Sequence, residues 1–283
     1  MIKTILKNIA YSVLAAITVL GTFYVGLDIY GTWSDEWSGY NASVMVSDGV
    51  CNVAVLPIIG TILPYAGADE DGSGNVQPPS TNMSDTLSLI RNIEADPNIR
   101  GILVRIDSTG GSPVASEVIT KELKNAPIPV GAMITESSAS GGYLIATGAD
   151  TIFASPFSDV GSIGVTMSYV DNTKQNTDEG LQFISLASGK YKDAGSPDRP
   201  LTAEERALFE RDLKIYHDEF VKQVAENRSL PVEDVAKLAD GWSMPASLAL
   251  ENKLIDAIGD KEDVRAWFAK QLEIATDEVV FCQ

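Results

Sequence analysis

Beyond residue 50, short apolar runs alternate with segments in which apolar residues recur at helical spacing. The apolar runs at 53–59, 102–106, 130–134, 151–154 and 163–167 predict β-strands. Helical spacing predicts helices at 84–94, 114–123, 143–146, 202–227, 232–238 and 264–272. The longest of these opens with Thr202 and Glu205, which form a Thr-x-x-Glu capping box. Because strands and helices alternate, the pattern predicts an α/β domain with largely parallel strands.

The N-terminal segment predicts a membrane anchor. Residues 8–27 contain no charged side chain, and about 20 such residues span a bilayer as a helix. Lys3 and Lys7 precede this run and Asp28 follows it, which predicts a cytoplasmic N-terminus and an extracytoplasmic domain. A cleaved signal peptide is the alternative. We therefore expect a transmembrane anchor at 1–30, a linker at 31–49 and one domain at 50–283, in a single-pass protein of the cell's inner (cytoplasmic) membrane.

Composition narrows the classes of function. The formal net charge of −18 repels phosphate backbones and argues against nucleic-acid binding. The sequence contains one histidine, His217, and two cysteines, Cys51 and Cys282, and this small number of ligands argues against a zinc site. The two cysteines leave two options open, a disulfide that joins the ends of the folded region or two buried thiols.

Two glycine-rich turns carry the candidate chemistry. Each turn follows an apolar strand and precedes a helix, so backbone N–H groups and the helix dipole favour negative charge there. An oxyanion or a phosphate would fit, but neither a Gly-x-Gly-x-x-Gly nor a Walker sequence is present. The second turn presents Ser140 between small residues as a candidate nucleophile, although most Ser-Gly-Gly sequences are plain turns.

A nucleophilic serine requires a base, and the sequence offers two residue types. His217 lies among charged residues in the predicted long helix, which is typical of a surface histidine rather than of a triad member. A lysine base must be neutral, which requires its reference pKa of about 10.4 to fall by about three units. Burial in apolar surroundings lowers a lysine pKa in this way. On composition alone, Lys174, Lys190 and Lys192 are near-equal candidates.

Five motifs follow one another between residues 53 and 259. They are Arg-Ile-Asp-Ser-Thr-Gly-Gly-Ser at 105–112, Ser-Ala-Ser-Gly-Gly-Tyr at 138–143, Gly-Ser-Ile-Gly-Val at 161–165, Gly-Lys-Tyr-Lys-Asp at 189–193 with Ser-Pro at 196–197, and Ala-Leu-Glu-Asn-Lys-Leu-Ile-Asp at 249–256. As an ordered set, they resemble the signal peptide peptidase A family, in its short form with one copy of the domain. The sequence departs from that family's usual pattern at Asp107 and Thr109, which affects only the first glycine turn.

The resemblance implies a catalytic role for individual residues. Ser140 matches the nucleophile and Lys192 matches the general base. Ser162 matches a hydroxyl that bonds the lysine and orients it. The oxyanion hole matches the amide of Gly141 and that of Gly111 or Gly110, between which the sequence does not choose.

The resemblance also implies a fold and a substrate class. The fold would be that of the Clp protease proteolytic subunit and the crotonases, and no metal or nucleotide cofactor would be needed. The substrates would be cleaved signal peptides and other membrane-derived apolar peptides. In tandem family members serine and lysine come from different copies of the repeat, so a single-copy chain is expected to form a closed homo-oligomeric ring. A crotonase-like acyl-CoA enzyme, a non-catalytic membrane scaffold and a phage capsid protease are the alternatives.

Overall fold

The computed structural model describes residues 49–65 and 79–282. The anchor expected at 1–30 and the linker residues up to 48 lie outside these ranges. Within them, none of the helices combines the length and the apolar character needed to cross a membrane.

Most of the predicted strands and helices are present, several with longer bounds. The strands are β1 (Val53–Leu63), β2 (Ser80–Asn82), β3 (Gly101–Gly111), β4 (Val130–Ala139), β5 (Thr151–Ala154), β6 (Asp159–Gly161), β7 (Ser243–Pro245) and β8 (Ala257–Ile258). The helices are α1 (Met83–Ala95), α2 (Pro113–Lys124), α3 (Gly141–Ala146), α4 (Thr173–Asp178), α5 (Ala203–Arg228), α6 (Val232–Leu238), α7 (Ala246–Glu251) and α8 (Lys261–Leu272), with a 3-10 turn at Thr276–Glu278. The capping box at the start of α5 is confirmed, because Thr202 and Glu205 bond each other's backbone N–H.

The described strands form one sheet in the order β2-β1-β3-β4-β5-β8. All pairs along this path are parallel, and only the pair of β6 with β7 is antiparallel. Strand β4 pairs with β5 through residues 131–134 and then with β6 through residues 137–139. The carboxyl ends of β3 and β4 therefore lie side by side, at the edge where parallel sheets usually bind ligands.

Strand β3 continues through the segment that the sequence predicts as a glycine turn. Gly110 and Gly111 pair with Thr61 and Ile62 of β1. A Cβ on Gly111 would lie 2.1 Å from the carbonyl oxygen of Ile62, so this close pairing requires glycine. The prediction of a turn at this point is wrong because glycine here serves the contact between two strands.

The two ends of the domain lie together. Cys51 and Cys282 form a disulfide with a Cα–Cα distance of 5.0 Å, which decides between the two options left open by the sequence. The N–H of Cys282 donates to the carbonyl oxygen of Val53 (2.9 Å), and that of Asn52 donates to Val280 (2.9 Å). The last described residues are thus bonded alongside the start of β1.

Residues 164–202 form a segment that we call the arm. No residue between 164 and 204 is buried, and α4 is the only helix in this span. The strand predicted at 163–167 is wrong, because these residues leave the sheet after β6 and have no neighbouring strand to pair with among the described residues. The arm leads into α5, which buries Val221, Val224 and Ala225 near its C-terminal end.

Candidate active site

Ser140 occupies the sharp turn between β4 and α3. Its backbone has φ 51° and ψ −123°, a region that residues with a Cβ rarely adopt. The Ser140 N–H donates to the carbonyl oxygen of Gly161 (2.8 Å), and its carbonyl oxygen accepts from the N–H of Leu144 (3.0 Å). Sheet and helix together hold this strained conformation, which is characteristic of functional sites. The half-buried Ser140 thus sits at the N-terminal end of α3.

Three glycines crowd around Ser140. A Cβ on Gly110 would lie 2.9 Å from the Ser140 Cβ and 2.8 Å from the Gly141 nitrogen. A Cβ on Gly141 would lie 3.5 Å from the Gly111 nitrogen and 2.3 Å from the Ser116 hydroxyl oxygen. The absence of side chains therefore brings two backbone amides close to each other beside the serine. Such a pair can stabilise an oxyanion.

The structure favours one of the two candidate glycines on β3. The N–H of Gly110 donates to the Ser108 hydroxyl oxygen (3.1 Å), so it is already engaged within the strand. The Gly111 nitrogen lies 3.5 Å from where a Cβ on Gly141 would be, and Gly141 is the first residue of α3, whose leading N–H groups have no carbonyl partner inside the helix. This arrangement favours Gly111 and Gly141 as the two donors.

Ser162 lies next to the same edge of the sheet. It directly follows Gly161, whose carbonyl oxygen accepts from the Ser140 N–H. Its backbone also has positive φ, at 48°. The Ser162 N–H donates to Trp242 (3.0 Å), and its hydroxyl donates to the carbonyl oxygen of Gly241 (3.0 Å). Ser140 and Ser162 are thus brought together, but the partner of the Ser162 hydroxyl is a backbone carbonyl and not a lysine.

The three candidate lysines differ in their partners. The Lys174 ammonium pairs with Asp178 at 2.5 Å, and the Lys190 ammonium pairs with Glu204 at 2.6 Å. The hydrogen bond that Lys190 donates to Glu204 raises the pKa of Lys190, which favours its charged form. The Lys192 side chain is exposed and has no hydrogen-bond or ion-pair partner in residues 49–65 and 79–282. Of the three, Lys192 alone has no carboxylate partner among the described residues.

The arm holds Lys192 at one end of α5. Arg199 bridges Asp193, the residue after Lys192, to Glu205 in the first turn of that helix. Twelve residues further along α5, about 18 Å at the helical rise, His217 donates from Nε2 to the carbonyl oxygen of Ala239 (2.8 Å). Lys192 is therefore anchored to the start of α5 and not to the strands that position Ser140.

Among the described residues, the His217 ring bonds a backbone carbonyl oxygen and not a serine hydroxyl. Its bond to Ala239 helps to attach the segment that leads to Gly241, the partner of Ser162. The expectation that His217 is not a triad base stays a prediction. Within the described part of the chain, no group of three or more His, Cys, Asp or Glu side chains could hold a metal ion.

Two residues that the sequence did not single out lie next to the candidate site residues: one is beneath Gly141 and the other is beside the Lys192 turn. Ser116 of α2 packs beneath Gly141 and donates to the carbonyl oxygen of Ser112 (3.0 Å). Arg199 connects the arm to α5. A signal for Arg199 was present, because it lies six residues from both Asp193 and Glu205, but such spacing in an irregular segment predicts no particular contact.

Comparison with known proteins adds a family match. The family model described as Peptidase family S49 matches residues 122–275, a range that contains Ser140, Ser162 and Lys192. A protein of Enterococcus faecium that carries the name signal peptide peptidase SppA is 31% identical over 216 residues, which are 75% of this chain and 63% of that protein. A protein of Synechocystis sp. named as a protease is 36% identical over 195 residues, 68% of this chain and 70% of that protein.

The chain covers only part of the length of these relatives. The chain spans less than two thirds of the length of the Enterococcus protein, at 63%. Among solved structures, a mutant of the protease ClpP1 from Listeria monocytogenes aligns with a TM-score of 0.48 and 15% identity, over 74% of this chain and 92% of that one. That structural likeness carries no argument for a Clp protease-like fold, which stays a prediction.

Proposed function

This chain belongs to peptidase family S49, and we propose that it is a membrane-anchored serine endopeptidase with Ser140 as nucleophile and Lys192 as general base. Its substrates on this proposal are cleaved signal peptides and other membrane-derived apolar peptides. The Clp protease/crotonase-like arrangement of the fold belongs to the same proposal.

The backbone at Ser140 is the observation that carries the proposal. A serine held at φ 51° between a buried strand and a helix, with the amides of Gly111 and Gly141 beside it, has the parts that acyl transfer requires. A plain surface turn would not need a strained serine surrounded by glycines that tolerate no Cβ. The strain and the crowding support catalysis over a scaffold role.

The reaction proceeds by acyl transfer. Neutral Lys192 accepts the hydroxyl proton of Ser140 while the oxygen attacks the peptide carbonyl. The N–H groups of Gly111 and Gly141 donate to the resulting oxyanion, and loss of one such donor typically costs about 10²–10³ in rate. The lysine then gives its proton to the leaving amine, and water releases the acid from the acyl-enzyme. Ser162 orients the lysine once its hydroxyl releases the Gly241 carbonyl oxygen and forms a hydrogen bond with the lysine amine instead.

The position of Lys192 supports a site shared between chains. A lysine must lose its proton to serve as a base, and exclusion of water favours the neutral form. Lys192 is exposed in one chain and attached to the start of α5, so a second chain is needed to cover it and to present a serine. The arm also exposes apolar side chains that such a contact would bury. They include Met167, Tyr169, Val170, Leu181, Ile184 and Leu186.

Complementation tests both the dyad and its sharing. Ser140→Ala and Lys192→Ala chains should each be inactive against an apolar peptide ester. When they are mixed under conditions of subunit exchange, a ring with shared sites should recover about a quarter of the wild-type activity, since each site needs one intact serine and one intact lysine. If exchange is demonstrated and no activity returns, both residues come from one chain. If Ser140→Ala alone stays active, the assignment of Ser140 as the nucleophile fails.

Membrane anchoring rests on the uncharged run at residues 8–27 and the basic residues before it. Protease added to the extracytoplasmic side of intact cells should digest the domain and leave a short protected fragment. Protection of the whole domain until the cells are lysed would reverse the orientation. Release of the domain from membranes by alkaline carbonate would contradict the anchor itself.

A further inference from the structure

The turn that carries Lys192 is fixed by one arginine. The guanidinium of Arg199 donates to both carboxylate oxygens of Asp193, from Nη2 at 3.1 Å and from Nε at 3.3 Å. It also donates from Nη2 to the Asp193 carbonyl oxygen at 3.1 Å. Because Asp193 directly follows Lys192, these bonds hold both the backbone and the side chain adjacent to the lysine.

The same guanidinium binds Glu205 on its other side. Arg199 Nη2 lies 2.5 Å from Oε1 and Nη1 lies 3.0 Å from Oε2. Glu205 also accepts from the N–H and the hydroxyl of Thr202, at 3.0 and 2.9 Å, and is only 4% exposed. Its pKa is lowered to about 2, chiefly by the hydrogen bonds from Arg199 and then by those from Thr202. Glu205 is thus an ionised anchor point within the first turn of α5.

Other contacts of the turn are weaker or open to solvent. The Lys190–Glu204 pair is 66% and 56% exposed, and pairs of that kind contribute little. Gly195, at φ 80°, packs against the Phe209 ring of α5, where a Cβ would lie 3.2 Å from the ring. The bridge through Arg199 is therefore less exposed than the Lys190–Glu204 pair, the other ion pair between the Lys192 turn and α5 among the described residues.

We propose that Arg199 is a positioning residue for the general base, acting as a clasp with Asp193 and Glu205. This inference rests on the proposed function, because it requires Lys192 to be that base. A base must stand within hydrogen-bond reach of its nucleophile, and a displacement of about 1 Å can cost 10²-fold in rate. Lys192 lies in an exposed turn without strand pairing, so its backbone position depends on this clasp.

Only arginine can make this connection. Its planar fork donates in two directions at once and so binds two carboxylates bidentately, whereas a lysine ammonium is a single point charge. Arg199→Lys keeps the charge but cannot span Asp193 and Glu205 in the same way. The clasp therefore depends on the geometry of the guanidinium and not on its charge alone.

The test uses the full-length chain in detergent and a peptide ester substrate. Arg199→Ala should lower kcat by about 10²-fold with KM changed less than about twofold. The kcat values of Arg199→Lys and Asp193→Asn should lie between those of Arg199→Ala and the wild type. Arg206→Ala removes an exposed arginine from the same turn of α5 and should match wild type. Assembly size and melting temperature are measured for every variant.

Two readouts separate positioning from general damage. A loosened lysine becomes better hydrated, so the acid limb of the kcat/KM profile should move to higher pH in Arg199→Ala. In a Lys192→Ala background, Arg199→Ala should cause no further loss, because the two residues act as a unit. Loss of activity in step with assembly or stability, with the acid limb unmoved, would make Arg199 a structural residue and overturn the inference.

The two proposals fail in different ways. Inactive Lys192→Ala together with wild-type kinetics in Arg199→Ala would overturn the clasp and leave the dyad standing. Active Lys192→Ala would overturn the dyad itself. If Arg199→Ala does not fold, Asp193→Asn decides, since it changes only the side of the clasp that adjoins the lysine; wild-type kinetics there would overturn the inference.

Discussion

The surroundings of Ser140 and the arm around Lys192 differ in how they are held in place. Ser140 is fixed on both sides by backbone bonds, to Gly161 in β6 and to Leu144 in α3, within a buried sheet. The arm contains no buried residue, and its connection to α5 depends largely on Arg199. The proposed nucleophile is therefore positioned by the folding of one chain. The proposed base is positioned by a surface clasp, which allows activity to depend on contacts outside the core.

The largest expected effect separates two lysines that lie two residues apart in the arm. Lys192→Ala should lower kcat/KM by at least about 10⁴-fold, as expected when one member of a catalytic pair is lost. Lys190→Ala should stay within about twofold of wild type, because it removes an exposed pair with Glu204 and a contact with the Tyr191 ring. Steady-state kinetics on a peptide ester measure both. The reverse ranking would assign the base to Lys190, and a dead His217→Ala variant would reopen the triad.

The second comparison substitutes one glycine from each region. Gly111→Ala places a Cβ 2.1 Å from the Ile62 carbonyl oxygen and displaces a proposed oxyanion donor, so kcat should fall by about 10²–10³. Gly189→Ala in the arm meets open space and should leave activity and stability unchanged. Activity and thermal unfolding of the two variants provide the measurement. Equal losses would mean that the glycine spacing around Ser140 has no special role.

The third prediction concerns acid. The pKa of Glu205 is lowered from 4.5 to about 2, so its contribution to stability is complete above pH 4.5 and is lost as the pH falls towards 2. Amide protection factors in the arm should therefore fall over this range before those of β3 and β4. In Glu205→Gln the arm should be less protected at pH 7, and its protection should change little between pH 5 and 2. An arm that responds to acid equally in both proteins would rule out Glu205 as its anchor.

The smallest expected effect compares two fully buried serines of the core. The Ser138 hydroxyl has no partner among the described residues, whereas that of Ser158 donates to the carbonyl oxygen of Ile134 (3.0 Å). Ser138→Ala removes an unpaired buried group and should raise the free energy of unfolding by about 1 kcal/mol. Ser158→Ala should lower it by about 1 kcal/mol. Chemical denaturation measures both, and a destabilised Ser138→Ala would indicate an ordered water at its hydroxyl.

The core could be predicted from the sequence because its signals are local. Apolar runs gave β1, β4 and β5, and the capping box gave the start of α5. The turn at Ser140 followed from small residues between a strand and a helix, whereas its positive φ was not predicted. Gly110 and Gly111 misled the prediction, because glycine favours turns and also permits close strand pairing, and the choice between these depends on Ile62, which is distant in sequence.

The arm could not be predicted in the same way. Ile163, Val165 and Met167 are apolar residues at alternating positions, a pattern that favours a strand. A strand needs a partner, however, and no described strand pairs with this segment. The contacts that fix the arm join charged side chains across irregular backbone, and neither strand nor helix periodicity reports on them. Lys192 was identified through family resemblance alone, and its separation from the core became visible only in three dimensions.

The disulfide between Cys51 and Cys282 has a mechanical consequence. It closes a loop with a sequence separation of 231, which contains the entire sheet and the arm. If an unfolding motor pulled on the chain ahead of Cys51, it would reach the disulfide first. Beyond that point, two polypeptide segments joined by the disulfide would have to enter the motor together. The load would pass both into Asn52, which leads to β1, and through the sulfur bridge to Cys282. Processive unfolding from that end would therefore require the passage of two cross-linked segments at once, unless a reductant first cleaved the disulfide.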